Sequence, residues 1–147
     1  MKKKVIIFVL LNLNAFSVNA KLIADDCIDM YQGVGIRVTD SMIEDFGLRK
    51  SDIVLDKTKM TLLAQESVTK QMALFYALQD KKNPAYAPLK PNQLLEIYTG
   101  DNAENLIIKF DYVNRAGKHN VLLSSHLISE GECTIRYNGY IIVKREF

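Results

Sequence analysis

The chain has 147 residues, nearly half of them hydrophobic, with 19 Lys and Arg against 17 Asp and Glu. Its positive charge belongs to the first 20 residues, which hold Lys2, Lys3 and Lys4 and no acid, so that 16 basic and 17 acidic side chains remain beyond them. A chain this close to neutral lacks the basic excess of nucleic-acid-binding proteins. Residues 21–147 have the length of one compact domain.

Residues 1–20 have the pattern of a cleaved signal peptide. A basic head precedes an apolar run from Val5 to Phe16, and small residues end at Ala20, where we expect cleavage. The alternative, a membrane anchor, is disfavoured because the apolar run is shorter than the roughly 20 residues that span a bilayer. The leader predicts a periplasmic or secreted protein with one globular domain over residues 21–147 and no stable membrane span.

Cys27 and Cys133 are the two cysteines of the chain. An even number of cysteines in an exported protein indicates a disulfide bond, here between the start of the domain and its last strands. The alternatives are a reactive thiol and a metal-binding pair. Neither is supported by a Cys-x-x-Cys motif or a neighbouring histidine, and we expect no metal and no cofactor.

The first half of the domain is predicted to be mainly helical. Residues 22–30 have near-helical spacing, Gly33 and Gly35 indicate a turn or flexible joint, and a capping box from Ser41 to Glu44 begins a short helix that ends at Gly47. Residues 53–55 and 59–64 have strand character.

Residues 67–81 have a helical period with a wide apolar face that includes Leu74 and Leu78. They predict a helix buried against the concave side of a sheet. Residues 83–92 contain all three prolines and form a predicted loop, residues 93–98 fit a strand or a short helix, and residues 99–104 fit a polar turn.

The last 42 residues carry the clearest pattern. Residues 106–113 and 119–128 alternate as strands, and Asn138-Gly139 lies between two β-rich runs, which is typical of a type I′ hairpin turn. Such a turn would place Tyr137 opposite Tyr140 and Cys133 opposite Lys144. The pattern predicts an α+β fold in which N-terminal helices and one longer helix pack on a C-terminal antiparallel meander.

This order of elements resembles the cone-shaped α+β folds of the nuclear-transport-factor and cystatin-like type. The resemblance rests on element order, and no site residue is transferred from it.

Catalytic patterns are weak. Ser124, Ser125 and His126, with Asp111, have the residue types of a hydrolase triad, but neighbouring strand residues point to opposite faces, so Ser125 and His126 would diverge. We therefore expect a protein that is not an enzyme.

A binding role fits better. The charged end of the last strand is typical of a sheet edge, and edges can accept a partner strand. Candidate contact residues lie in the loops: Tyr86, Asp101, Asn102, Glu130 and Glu132.

The sequence favours a periplasmic immunity protein or inhibitor that neutralises a toxin or a cell-wall-degrading enzyme. Two alternatives are a structural or assembly component of an envelope or secretion system, and a small-molecule-binding cone fold with Tyr76, Tyr112 or His126 in its pocket. The oligomeric state stays open.

Overall fold

A computed structural model describes residues 24–147, so the predicted signal peptide lies outside the described residues. The described chain is an α+β fold with three helices, α1 (Gly33–Phe46), α2 (Lys70–Asp80) and α3 (Pro91–Thr99). Residues 24–27 are also helical. Four strands follow the order β1 (Lys59–Ser67), β2 (Glu104–Val113), β3 (His119–Ser129) and β4 (Glu132–Lys144).

The strands form one antiparallel meander with the spatial order β1-β2-β3-β4, so β1 and β4 are its edges. Strand β2 alternates strictly between buried and half-buried residues. This pattern is expected for a central strand with one face of the sheet fully covered and the other only partly covered. We call the side of Leu106, Ile108 and Phe110 the inner face of the sheet. The opposite side, with Asn105 and Ile107, is the outer face.

Helix α1 covers the inner face. Its buried residues Val34, Val38 and Met42 recur at helical spacing and pack on the inner side chains of β2 and β3. Tyr112 lies in the same cluster, and its hydroxyl lies 3.0 Å from the Thr39 hydroxyl, which donates to the Gly35 carbonyl at 2.7 Å.

Helices α2 and α3 pack on each other and cover one end of the outer face. Their small cluster is centred on Ala73, Ala77, Leu94 and Tyr98 of the helices and Leu127 of β3. The buried side of α2 is therefore narrow. Contrary to the prediction of a wide buried face, Leu74, Phe75 and Leu78 point outward and are about half exposed.

The predicted joint at Gly33 and Gly35 is wrong, because both glycines belong to the first turn of α1. A Cβ atom on Gly35 would lie 2.4 Å from the Asp29 carbonyl oxygen and from Met30 Cα. The glycine is therefore needed for close backbone approach. Residues 53–55 form only a single bridge, from Ile53 to Asn114, before a short 3₁₀ turn.

The predicted hairpin at Asn138-Gly139 is also wrong, because β4 continues through this pair. The chain reverses earlier, at Glu130-Gly131. In the observed register Tyr137 pairs with His126 and Tyr140 with Ser124, which leaves Asn138 and Gly139 together opposite Ser125. Gly139 does adopt a positive φ of 92°. This φ serves a β-bulge, which bends a strand without ending it.

The predicted disulfide between Cys27 and Cys133 is confirmed, with a sequence separation of 106 residues. It joins the N-terminal helical segment to the first residues of β4. At the other end of β4, the buried Asn120 side chain accepts from the backbone N–H groups of Glu146 and Phe147 and donates to the Phe147 carbonyl. Both ends of the long edge strand are thus held.

Candidate functional site

The outer face is left uncovered at the end away from α2 and α3. Two rows of paired residues cross the four strands there. They are Lys59, Asp111, Val121 and Lys144 in one row, and Thr61, Lys109, Leu123 and Ile141 in the next. We call these eight residues, together with Ile107, the open face. Its apolar members lie toward its centre and one edge, and Ile141 is 69% exposed.

A cavity of about 240 Å³ lies where the open face meets the covered end. Ile107, Leu123 and Ile141 contribute apolar side chains from three adjacent strands. The bulged pair Asn138-Gly139 and the residues beside it form the rest of the lining, which comprises Ser124, Ser125, Asn138, Gly139 and Tyr140. The Asn-Gly pair therefore shapes a concave surface in place of the expected turn.

Hydrogen bonds hold the polar side of this cavity. The Asn138 side-chain amide donates to the Ser125 hydroxyl at 2.8 Å, and this hydroxyl donates to the side-chain Oδ1 atom of Asn105 at 2.8 Å. The same amide lies 3.3 Å from the Tyr76 hydroxyl of α2. The Arg136 guanidinium donates to the side-chain Oδ1 atom of Asn138. Partners on all sides leave Asn138 little rotational freedom.

Arg136 continues this network to the helices. Its guanidinium donates to both carboxylate oxygens of Asp80, at 2.7 and 2.9 Å, and lies 4.2 Å from the centre of the Tyr76 ring. The Tyr98 hydroxyl donates to Asp80 at 2.6 Å. Burial favours the neutral acid of Asp80, but the hydrogen bonds from Arg136 and Tyr98 and the Arg136 charge hold its pKa below the ordinary value.

A second cleft, of about 760 Å³, lies on the other side of β4, between this strand and the end of α1. There the Tyr140 hydroxyl donates to Asp45 at 2.6 Å. Burial and this carboxylate both raise the pKa of Tyr140. The Arg145 guanidinium lies 4.0 Å from the centre of the Phe46 ring, which in turn contacts Tyr140 edge-on.

Strand β4 thus separates two concave surfaces and presents three consecutive exposed apolar residues, Ile141, Ile142 and Val143. Ile141 pairs with Leu123 of the outer face and Ile142 with Leu122 of the inner face, so β4 exposes apolar side chains on both of its sides. Exposed apolar side chains grouped on one element are typical of a contact surface. The register also shifts at Val143, which is extra between Leu122 and Val121. Such bulges limit how far a foreign strand can pair along an edge.

Four of the five predicted contact residues are brought together at the opposite end of the sheet. Asp101 and Asn102 form a turn with positive φ, and the Asn102 amide donates to the Glu130 carboxylate. Glu130 and Glu132 border a cavity of about 180 Å³ beside the disulfide. Tyr86 does not join them, because its half-buried ring packs in the cluster of α2 and α3.

A buried Ser–His pair was missed by the sequence argument. Ser124 and His126 share the inner face, and the His126 Nε2 atom lies 3.0 Å from the Ser124 hydroxyl. Their i, i+2 spacing was the available signal. His126 is fully buried and stacks on Tyr137 with ring centres 5.0 Å apart, and its Nδ1 atom has no hydrogen-bond partner.

The environment of His126 does not suit catalysis. Burial lowers its pKa to about 4, so the ring is a weak base at neutral pH. Asp111 does not orient it, because its carboxylate lies 2.6 Å from His119 Nδ1 on the outer face. The Ser–His pair is therefore part of the core beneath α1.

Within residues 24–147, no group of three or more His, Cys, Asp and Glu side chains is arranged to hold a metal ion. No helix in this part of the chain is long and apolar enough to cross a membrane.

No protein-family model, curated protein or solved structure matches the chain. The resemblance to cone-shaped folds therefore stays a prediction.

Proposed function

We propose that this protein is an exported protein-binding domain, an inhibitor or immunity protein that neutralises a toxin or a cell-wall-degrading enzyme. The observation that carries the proposal is the exposed apolar group on β4, with a cleft on each side of the strand. Surfaces of this kind, with apolar anchors beside rigid concave walls, are typical of sites that bind other proteins.

A periplasmic or secreted location is supported by the confirmed disulfide and by the leader-like pattern of residues 1–20. Disulfide bonds persist in oxidising compartments and are rare in the cytosol. A small exported domain with a disulfide-held edge strand suits a role in which the protein docks rigidly onto a partner.

The test is affinity capture with the exported, oxidised protein as bait. We expect one toxin or hydrolase to be retained by the wild-type protein and to lose activity when the purified bait is added. Ile141→Asp should lose this partner because a charge replaces the most exposed apolar residue of β4. Ile97→Asp is the matched control, since Ile97 is an exposed apolar residue on α3.

The remaining outcomes discriminate the alternatives. Loss of the partner with Glu130→Lys and Glu132→Lys, but not with Ile141→Asp, would move the contact surface to the acidic end that the sequence indicated. Recovery of envelope or secretion components would favour the structural role. Retention of no protein, or turnover of a substrate by the purified domain, would contradict the proposal.

A small-molecule-binding role is favoured by one observation, the cavity whose polar wall connects to Tyr76. Tyr112 and His126, the other residues expected in such a pocket, are buried on the opposite face of the sheet. The cavity is also smaller than the roughly 300–1,000 Å³ typical of small-molecule sites. The cleft of about 760 Å³ on the other side of β4 falls within that range, but it is lined by none of these three residues. Protein binding is therefore the better-supported function.

A further inference from the structure

The open face combines an apolar cavity with lysine side chains. At its inner end, the cavity of about 240 Å³ is lined by Ile107, Leu123 and Ile141 and is large enough for one apolar side chain. These three residues belong to paired strands, and the wall at Asn138 is held by hydrogen bonds. An anchor entering this cavity would meet a preformed surface, so little ordering of the protein would oppose binding.

The open face carries three lysines and one carboxylate. Lys109 lies beside Leu123 in the same row, and Lys59 and Lys144 occupy the ends of the next row. Asp111 is the one acidic residue among the nine of the open face, and its carboxylate lies 2.6 Å from His119 Nδ1. Lys144 is paired with Glu146 at 2.9 Å. Among the described residues, neither Lys59 nor Lys109 forms an ion pair.

The opposite side of the molecule has the opposite sign. Residues 24–56, which form the layer on the inner face, carry eight acidic and three basic side chains. The protein is therefore polarised across the sheet. A partner with a negative surface would be attracted to the open face and repelled by the layer that contains α1.

We infer that the open face binds a protein segment in which a large apolar side chain is flanked by carboxylates. The apolar side chain occupies the cavity at Ile107, Leu123 and Ile141, and the carboxylates pair with Lys109 and Lys59. This inference rests on the proposed protein-binding function and specifies the chemistry of the partner at that surface.

A second copy of the chain is a poorer occupant. Two open faces in contact would bring the lysines of one copy against those of the other, which is unfavourable. Pairing of the open face with the acidic layer of another copy would be heterologous, and it would build a ring or an open filament rather than a dimer. The charge pattern therefore favours a different protein.

Two synthetic peptides provide the probes, acetyl-Asp-Leu-Phe-Asp-amide and acetyl-Lys-Leu-Phe-Lys-amide. Titration of the oxidised, isotope-labelled protein, followed by NMR, should shift the backbone signals of Ile107, Lys109, Leu123 and Ile141. We expect the Asp peptide to bind at least fivefold more tightly than the Lys peptide at low salt, with the difference shrinking as salt is added.

Lys109→Glu should remove or reverse this preference. Lys82→Glu is the matched control, because Lys82 is an exposed lysine beyond the end of α2. This substitution changes the net charge by the same amount as Lys109→Glu. Equal binding of both peptides, shifts confined to other residues, or unchanged preference in Lys109→Glu would overturn the inference. A molecular mass that rises with protein concentration, as measured by light scattering, would overturn the inference and show that the occupant is a second copy of the chain.

Affinity capture distinguishes an error in the inferred partner chemistry from an error in the proposed function. If affinity capture retains the same partner on wild-type and Lys109→Glu baits, the protein-binding function stands and the inferred partner chemistry is wrong. If the wild-type bait retains no partner, the proposed function itself is contradicted.

Discussion

At the residue scale, His126 makes the stability of the protein sensitive to acid. The folded protein holds this ring neutral, with a pKa near 4, whereas the ring ionises near pH 6.5 in the unfolded chain. Between these two pH values the unfolded chain binds a proton that the folded protein does not bind. The contribution of His126 to the free energy of unfolding is therefore highest above pH 6.5, where the ring is neutral in both states. It falls as the pH is lowered toward 4, because protonation then stabilises the unfolded chain.

We expect the contribution of His126 to the free energy of unfolding to decrease by about 2 kcal/mol between pH 7 and pH 5. Urea unfolding at several pH values measures this change. His126→Gln should be less stable at pH 7 but have a shallower pH dependence, because its side chain does not ionise. An identical pH dependence in both proteins would show that His126 is not protonated on unfolding.

Gly139 supplies a backbone conformation that its replacement would strain. A Cβ atom at this position would find no neighbour within 4 Å, so the cost of Gly139→Ala comes from the positive φ alone. We expect a loss of about 1–2 kcal/mol in the free energy of unfolding, measured by urea denaturation. Gly131→Ala is the control, since Gly131 is equally open and lacks a positive φ. Equal effects of the two substitutions would contradict this account.

At the element scale, the attachment of α2 to the sheet depends on a polar network as well as on apolar packing. The buried side of α2 contributes small alanines, and its last residue, Asp80, receives hydrogen bonds from Arg136 of β4 and Tyr98 of α3. One carboxylate therefore connects both helices to the edge strand. The same network holds Asn138 and hence one wall of the proposed anchor cavity.

Asp80→Asn should destabilise the protein by about 2–3 kcal/mol, because it leaves the largely buried Arg136 guanidinium without its counter-ion. Asp52→Asn provides a matched comparison, since Asp52 pairs with Arg49 at the surface. That substitution should have a much smaller effect, because solvent screens exposed pairs. Chemical denaturation of both variants tests the difference. Similar losses would mean that the Asp80 pair has no special role.

Strand β4 shows how one element can serve both the core and the surface. Its pairing with β3 is irregular at three places, and it is an edge strand held at both ends. On this edge Ile141, Ile142 and Val143 are exposed. This arrangement suits a rigid contact surface that resists indiscriminate strand pairing.

At the scale of the whole molecule, the disulfide links segments that are distant in sequence. It closes a loop of 106 residues and so reduces the entropy of the unfolded chain. Replacing both cysteines with serine should lower the free energy of unfolding by about 4–5 kcal/mol in the chain-entropy model. Unfolding with and without a reducing agent checks this value. The reducing agent should destabilise the wild-type protein and leave the double variant unchanged.

Several features followed from the sequence because their causes are local. Alternation of apolar residues predicted β2 and β3, helical spacing predicted α2, and the positions of the two cysteines in an exported-type chain predicted their bond. For the strands and the helix the signal lies within a few consecutive residues. For the disulfide, two cysteines allow only one pairing.

The tertiary structure decided the features that depend on distant neighbours. Asn138-Gly139 carries the signal for a positive φ, but whether that φ makes a turn or a bulge depends on where β3 runs beside it. The apolar residues of α2 do not reveal which of them face the sheet, and strand alternation does not reveal which rows the helices leave uncovered. The open face and its cavity arise from such long-range packing, because several strands and helices must meet before a surface exists.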